Sequence, residues 1–240
     1  MAELHILATP REATRAMAEF VTTEAKERSA AQGKFTIALS GGSTPRSLYE
    51  LLASPAHGER ITWDRWHVFW GDERCVPSNH DDSNYRMAKE ALLGHVPIPA
   101  PQIHRMRGEA QPGQAAEEYE AELRLLLQES PPVIDLILLG IGEDGHTASL
   151  FSNTDALQER ERLVVTNWVP HIQAYRIIFT LPLINAARAV AFLVTDESKA
   201  SVLHQILGPT TADPGPPASL VHPTSGTVHW FLTQAAASHL

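Results

Sequence analysis

Cysteine is almost absent from this chain. Cys75 is the single one among 240 residues, so no internal disulfide and no cysteine-based metal cluster can form. Long apolar runs are missing too. The longest, from Val133 to Leu139, is interrupted by Asp135 and falls well short of the roughly 20 residues that cross a bilayer. The first residues, MAELHILATP, contain no basic segment followed by an apolar one, so no secretory leader is expected and the expected setting is the reducing cytoplasm. Positive charge is scarce: 19 Lys and Arg stand against 28 Asp and Glu, a formal net charge of −9. That balance argues against nucleic acid as a partner, because a phosphate backbone needs a basic face. A small phosphorylated metabolite held by a few local cations remains compatible with it.

Several catalytic signatures are also lacking. The chain has no H-E-x-x-H and no C-x-x-C, so metal-activated water has no signature and no metal or cofactor is expected. ALSGG is not a nucleophile elbow, because Ala38 stands where the first glycine is required. Attack by a base-activated water is what remains.

What is present reads as an ordinary globular chain, 43% hydrophobic and 20% charged, which excludes a disordered one. Apolar runs alternate with helical patterns. Ala13, Ala16, Met17, Phe20 and Val21 form a helical stripe behind a capping box of Thr9 and Glu12. FTIALS reads as a buried strand, followed by a glycine turn and a helix with Thr44 as cap and Pro45 at its first position. WHVFWGDER reads as one strand, then Tyr85 to Leu93 as a helix. AAEEYEAELRLLLQE is amphipathic, and VIDLILLGIG, YRIIFT, VAFLVT and VHWFL are further strands, with a helix from Glu197 to Leu207 before the last. Strands separated by helices imply βαβ units in a mostly parallel sheet. No linker composition, repeat or low-complexity tract interrupts residues 1–240, so a single α/β domain is expected.

Ligands of open α/β sheets bind beyond the carboxyl ends of the strands, and four clusters fall at or near such positions. In SGGSTP, the amides of a glycine turn at a helix start, with the hydroxyls of Ser43 and Thr44, suit an anion, although a plain capped turn explains them equally well. GDERCVP places Asp72, Glu73 and Arg74 directly after an apolar strand. Arg74 can hold an anion or a developing oxyanion, or simply pair with a carboxylate. Cys75 reads as a small hydrophobe. In LGIGEDGHTASLF, His146 is the best general base, with Asp144 two residues away to orient it. The alternative is a histidine capping a helix that starts near Thr147. Lys199 stands in the first turn of a helix, where a cation calls for an anionic partner. Arg176 precedes its strand, so it belongs at the opposite edge unless that strand runs antiparallel.

Taken together, LSGGSTPRSLYELL, WGDERCVPSNHDDSNYRMAKEALL, IDLILLGIGEDGHTASLF and AFLVTDESKA resemble the 6-phosphogluconolactonases, over nearly the whole chain and in the same order. The resemblance implies a three-layer α/β/α sandwich with a mostly parallel Rossmann-like sheet, similar to that of glucosamine-6-phosphate deaminase. It implies hydrolysis of 6-phosphoglucono-δ-lactone without a cofactor. Carried over, Gly42, Ser43 and Thr44 bind the 6-phosphate with Arg176 and Lys199. His146 is the catalytic histidine, Arg74 and Asp72 line the lactone end, and Asn84 shapes that pocket. Ser152 replaces a proline usual in the family, and the loop GPTTADPGPPAS is long. The alternatives are a glucosamine-6-phosphate isomerase/deaminase, and a non-catalytic sugar-phosphate sensor. The expected partner is a small phosphorylated lactone, with no nucleic acid and no membrane, and the expected state is a monomer or weak homo-oligomer.

Overall fold

The computed structural model describes residues 2–208 and 215–240. Part of the loop GPTTADPGPPAS therefore lies outside the described residues. In chain order the strands and α-helices are β1 (Ala2–Leu7), α1 (Pro10–Gln32), β2 (Phe35–Leu39), α2 (Ser43–Ala53), α3 (Pro55–Gly58), β3 (Trp66–Trp70), β4 (Asp72–Arg74), α4 (Asn84–Ala88), α5 (Pro112–Leu127), β5 (Leu136–Leu139), β6 (Val164–Val169), β7 (Ala174–Phe179), α6 (Leu181–Ile184), β8 (Ala189–Val194), α7 (Ala200–Leu207) and β9 (Thr227–Thr233).

Six strands form one parallel sheet in the order β1-β9-β8-β5-β2-β3. β2, β5 and β8 are buried along their whole length, because both faces of the sheet are covered and an apolar residue is needed at every position. Alternation sorts them between two cores. Ile37 and Leu39 pack with Met17 and Val21 of α1 and Leu48 and Leu52 of α2. Ala38, between them, faces the other core with Leu123 and Leu127 of α5. The sandwich is thus the one expected. The reciprocal cap is also present: the Thr9 amide donates to Glu12 Oε2 (3.0 Å) and the Glu12 amide to Thr9 Oγ1 (3.2 Å). No helix of the described residues is long and apolar enough to cross a membrane.

Four expectations are corrected. WHVFWGDER is two strands in different sheets. Gly71 separates them: its amide donates to Leu39 O (3.0 Å) and its carbonyl accepts from Phe179 N (2.8 Å), so the chain leaves the parallel sheet there. β4 joins a second, antiparallel sheet, β4-β7-β6. Two strands were not expected. β1 is an exposed edge carrying Glu3 and His5, and β6 carries Thr166 and Asn167 inside an apolar pattern, so neither shows the continuous apolar run of a central strand. Helix α2 begins at Ser43 with Gly42 as its cap residue (φ 108°), a backbone shape open to glycine and strained for threonine. Thr44 and Pro45 therefore sit inside the first turn, where a missing N–H costs little. Finally, no helix starts near Thr147. Ala148 and Ser149 have φ of 46° and 58°, left-handed values that stop a helix.

Candidate active site

The carboxyl ends of β5, β2 and β3 are neighbours in the sheet, so the turns that follow them converge. Together with β4, β7 and the segment before β7 they enclose a cleft of about 430 Å³, whose lining includes Ser40, Gly41, Asp72, Arg74, Gly140, His146, Phe151, His171 and Arg176.

His146 is held from two sides. Its Nδ1 lies 2.6 Å from Asp144 Oδ1, and its ring stacks on Phe151 with centroids 4.0 Å apart. An ionised carboxylate only accepts, so Nδ1 is the donor of this bond, and in the neutral imidazole the lone pair is on Nε2. Burial pushes the Asp144 carboxyl up, but the hydrogen bonds from the His146 ring and amide outweigh it and hold it below its ordinary 3.8. Its contribution to stability is therefore present above that value and is lost as pH falls below it. The loop's glycines make this geometry fit. A methyl group on Gly142 would stand 2.2 Å from His146 Nδ1 and 2.6 Å from Asp144 Oδ1, while Gly145 has a φ of 76°. Gly142→Ala should therefore lower kcat by at least about tenfold, because it displaces the ring in a site where a shift of ~1 Å is costly. Its thermal midpoint should stay near the parent value. Steady-state kinetics beside a melting curve checks both.

Asp72 is buried, and each of its carboxylate oxygens accepts a hydrogen bond. Ser149 Oγ donates to its Oδ2 (2.5 Å), and Asn84 Nδ2 donates to its Oδ1 (3.2 Å) and carbonyl (2.9 Å). Asn84 does not line the cleft; it positions Asp72. Its own place is set by Glu73, which accepts from the amides of Asn84 and Tyr85 and the Ser83 hydroxyl. Burial raises the Glu73 carboxyl despite those bonds. Gly41 allows the approach, since a methyl group there would meet Asn84 Oδ1 at 1.8 Å. Tyr49, in the buried face of α2, pins the turn after β2: its hydroxyl accepts from Ser40 N (3.0 Å) and donates to Ser40 O (2.8 Å).

Arg74 and Arg176 are direct register partners across β4 and β7. Because β7 runs antiparallel, the residue before its apolar run comes to the active end, which resolves the position of Arg176. Arg74 donates from Nη1 to Asp82 O (2.7 Å), and its buried Nε has no partner among the described residues. Arg176 donates only to Tyr175 O (3.1 Å). Burial, and next the charge of Arg74, push the Arg176 guanidinium down. Two half-buried guanidiniums with no carboxylate salt bridge among the described residues make a seat for an anion.

Other expected residues lie elsewhere. Ser40 and Gly41 line the cleft, whereas Gly42, Ser43 and Thr44 do not, and Gly42 and Ser43 are exposed. Lys199 has found its anion within the chain, Glu143 Oε1 at 3.5 Å, on the loop that carries His146. Burial raises the Cys75 thiol to about 11, which fits a packed residue and not a nucleophile. Ser149, Phe151 and His171 were missed. The first two stood inside the quoted histidine segment, while His171 follows the unrecognised β6.

Known proteins resemble this chain in sequence and in fold. Residues 8–230 match the sequence profile of the glucosamine-6-phosphate isomerases/6-phosphogluconolactonase family. The chain is similar to a 6-phosphogluconolactonase of Synechocystis sp., 46% identical over 92% of this chain and 90% of that protein. It is also similar to one of Nostoc sp., 44% identical over 87% and 86% respectively. Among solved structures, the 6-phosphogluconolactonase of Trypanosoma brucei superimposes with a TM-score of 0.89 at 29% identity, covering 100% of this chain and 99% of the other.

Proposed function

This chain belongs to the glucosamine-6-phosphate isomerase/6-phosphogluconolactonase family, and on that premise we propose that it hydrolyses 6-phospho-D-glucono-1,5-lactone to 6-phospho-D-gluconate, a step of the pentose phosphate pathway. The observation that carries this reading is one cleft holding both a carboxylate-oriented imidazole and an arginine pair that makes no salt bridge among the described residues, His146 with Asp144 and Arg74 with Arg176.

A δ-lactone is an activated ester, so it needs a placed water, a base and a stabilised oxyanion. His146 Nε2 takes a proton from water as the water oxygen bonds to C1, general-base assistance worth about 10²–10⁴-fold. The carbonyl electrons move to the exocyclic oxygen, which the amides of the glycine turn after β2 stabilise; one such donor contributes on the order of 3 kcal/mol. The intermediate collapses by breaking the bond from C1 to the ring oxygen, and His146 returns the proton to that oxygen. Asp72, fixed by Asn84 and Ser149, accepts from a sugar hydroxyl. The phosphate rests on Arg74 and Arg176, so its binding energy orients C1. This moves Arg74 from the lactone head to the phosphate, because two facing guanidiniums are best satisfied by a shared dianion. Lys199 steadies the histidine loop through Glu143. The same proposal takes residues 1–240 as one catalytic unit, needing no cofactor or metal, working in the cytoplasm as a monomer or weak homo-oligomer.

Acid release from the lactone at controlled pH tests the function. Turnover of phosphorylated lactone well above that of glucono-δ-lactone is expected, with no ammonia from glucosamine 6-phosphate. Ammonia release would favour the deaminase, and calorimetric binding of 6-phosphogluconate without lactone turnover would favour a sensor.

A further inference from the structure

A second constellation sits at the far edge of the parallel sheet. β1 pairs with β9 in the register Glu3↔His229 and His5↔Phe231. Successive strand residues alternate faces, so Glu3, His5 and His229 share one face, and Phe20 of α1 packs against it with its ring centroid 4.4 Å from that of His229. The three side chains offer donor atoms that all lie within 4.8 Å of one another. Glu3 Oε2 is 3.4 Å from His229 Nδ1 and 4.0 Å from His5 Nε2. None of the three lines the cleft.

The two imidazole nitrogens are the informative atoms. Both are shielded from solvent and neither has a hydrogen-bond partner among the described residues, and the His229 residue is only 9% exposed. Buried ring nitrogens are normally satisfied, and these two converge on a carboxylate. Tetrahedral coordination with bonds of about 2.0–2.1 Å separates ligand atoms by about 3.3 Å. The Glu3–His229 distance already matches that, and the half-exposed edge strand lets His5 close the remaining gap.

We propose that Glu3, His5 and His229 bind one divalent transition-metal ion. Two imidazole nitrogens and one carboxylate oxygen favour Zn²⁺ over Mg²⁺ or Ca²⁺, and solvent beside the exposed Glu3 supplies the fourth ligand. The role is structural. β1 has β9 as its sole strand partner, and its Leu4 and Ile6 are each 47% exposed, so a metal bridging Glu3 and His5 to His229 clamps the edge strand to the sheet.

The test uses the full chain stripped with EDTA and titrated with ZnCl₂ by calorimetry and thermal melting, with Co²⁺ absorption reporting the donor geometry. The wild type should bind one Zn²⁺ with micromolar or tighter affinity, melt at a higher temperature with Zn²⁺, and give a tetrahedral Co²⁺ spectrum. Glu3→Gln and His5→Gln should each weaken binding by at least about tenfold and abolish the melting shift, while lactone turnover without Zn²⁺ is unchanged. His146→Ala, which removes the imidazole of the cleft, should keep the site. Failure of the wild type to bind Zn²⁺, or equal binding by both edge-strand variants, overturns the proposal, whatever the outcome of the lactone assay.

Discussion

Replacing His146 with alanine should lower kcat by at least about 100-fold while KM for the phosphorylated lactone changes little. Among the described residues its imidazole is the one in the cleft whose orientation is fixed by a carboxylate, at 2.6 Å. In the proposed mechanism it meets the attacking water and the leaving oxygen, and the phosphate lies at the arginines. Its side chain is one-third exposed, so its loss leaves no buried cavity and folding should survive. Steady-state kinetics with a melting curve checks both halves. Turnover near that of the parent would remove His146 as the base. A rise in KM with kcat unchanged would make it a binding residue only.

Arg176→Ala should act on the other parameter. A hydrogen bond to a charged group is worth about 1.5–3 kcal/mol, so KM for the phosphorylated lactone should rise about 10–100-fold. The rate with unphosphorylated glucono-δ-lactone should stay the same, because that substrate has nothing to place between the guanidiniums. The substitution should also leave the thermal midpoint unchanged or higher. Arg176 is depressed by burial and by the Arg74 charge facing it, so the unliganded site holds an unfavourable like-charge pair that the variant relieves. A destabilised protein with uniform loss on both substrates would mean that Arg176 is structural.

The sequence made the parallel sheet legible because its central strands are covered on both faces. FTIAL, LILL and AVAFLV are apolar at every position, and that pattern survives without alignment. The histidine loop was legible for a different reason: Gly142 and Gly145 answer to specific approaches and a left-handed turn, so glycine spacing reported geometry. The arginine pair was not legible. Arg74 and Arg176 are brought together by β4 and β7, and β4 is a three-residue strand hidden in what reads as the tail of β3. Pairing of short antiparallel strands is a long-range property that period-two patterns do not encode. The cap of α2 was misplaced because Thr44 and Pro45 are both good first-turn residues, and only the φ of Gly42 separates the candidate starts. Lys199 was read through the helix dipole and the family resemblance, both of which called for an anion; the one it meets in the structure is Glu143, from a loop more than fifty residues earlier.

The proposed reaction requires one substrate orientation: phosphate at the arginines, carbonyl carbon at the imidazole. A crystal structure of this protein with the product 6-phosphogluconate measures it directly. The account predicts the phosphate oxygens within hydrogen-bond reach of both Arg74 and Arg176 and the C1 carboxylate beside His146 Nε2. A product bound in reverse, with its carboxylate on the two guanidiniums, or seated away from His146, would contradict it.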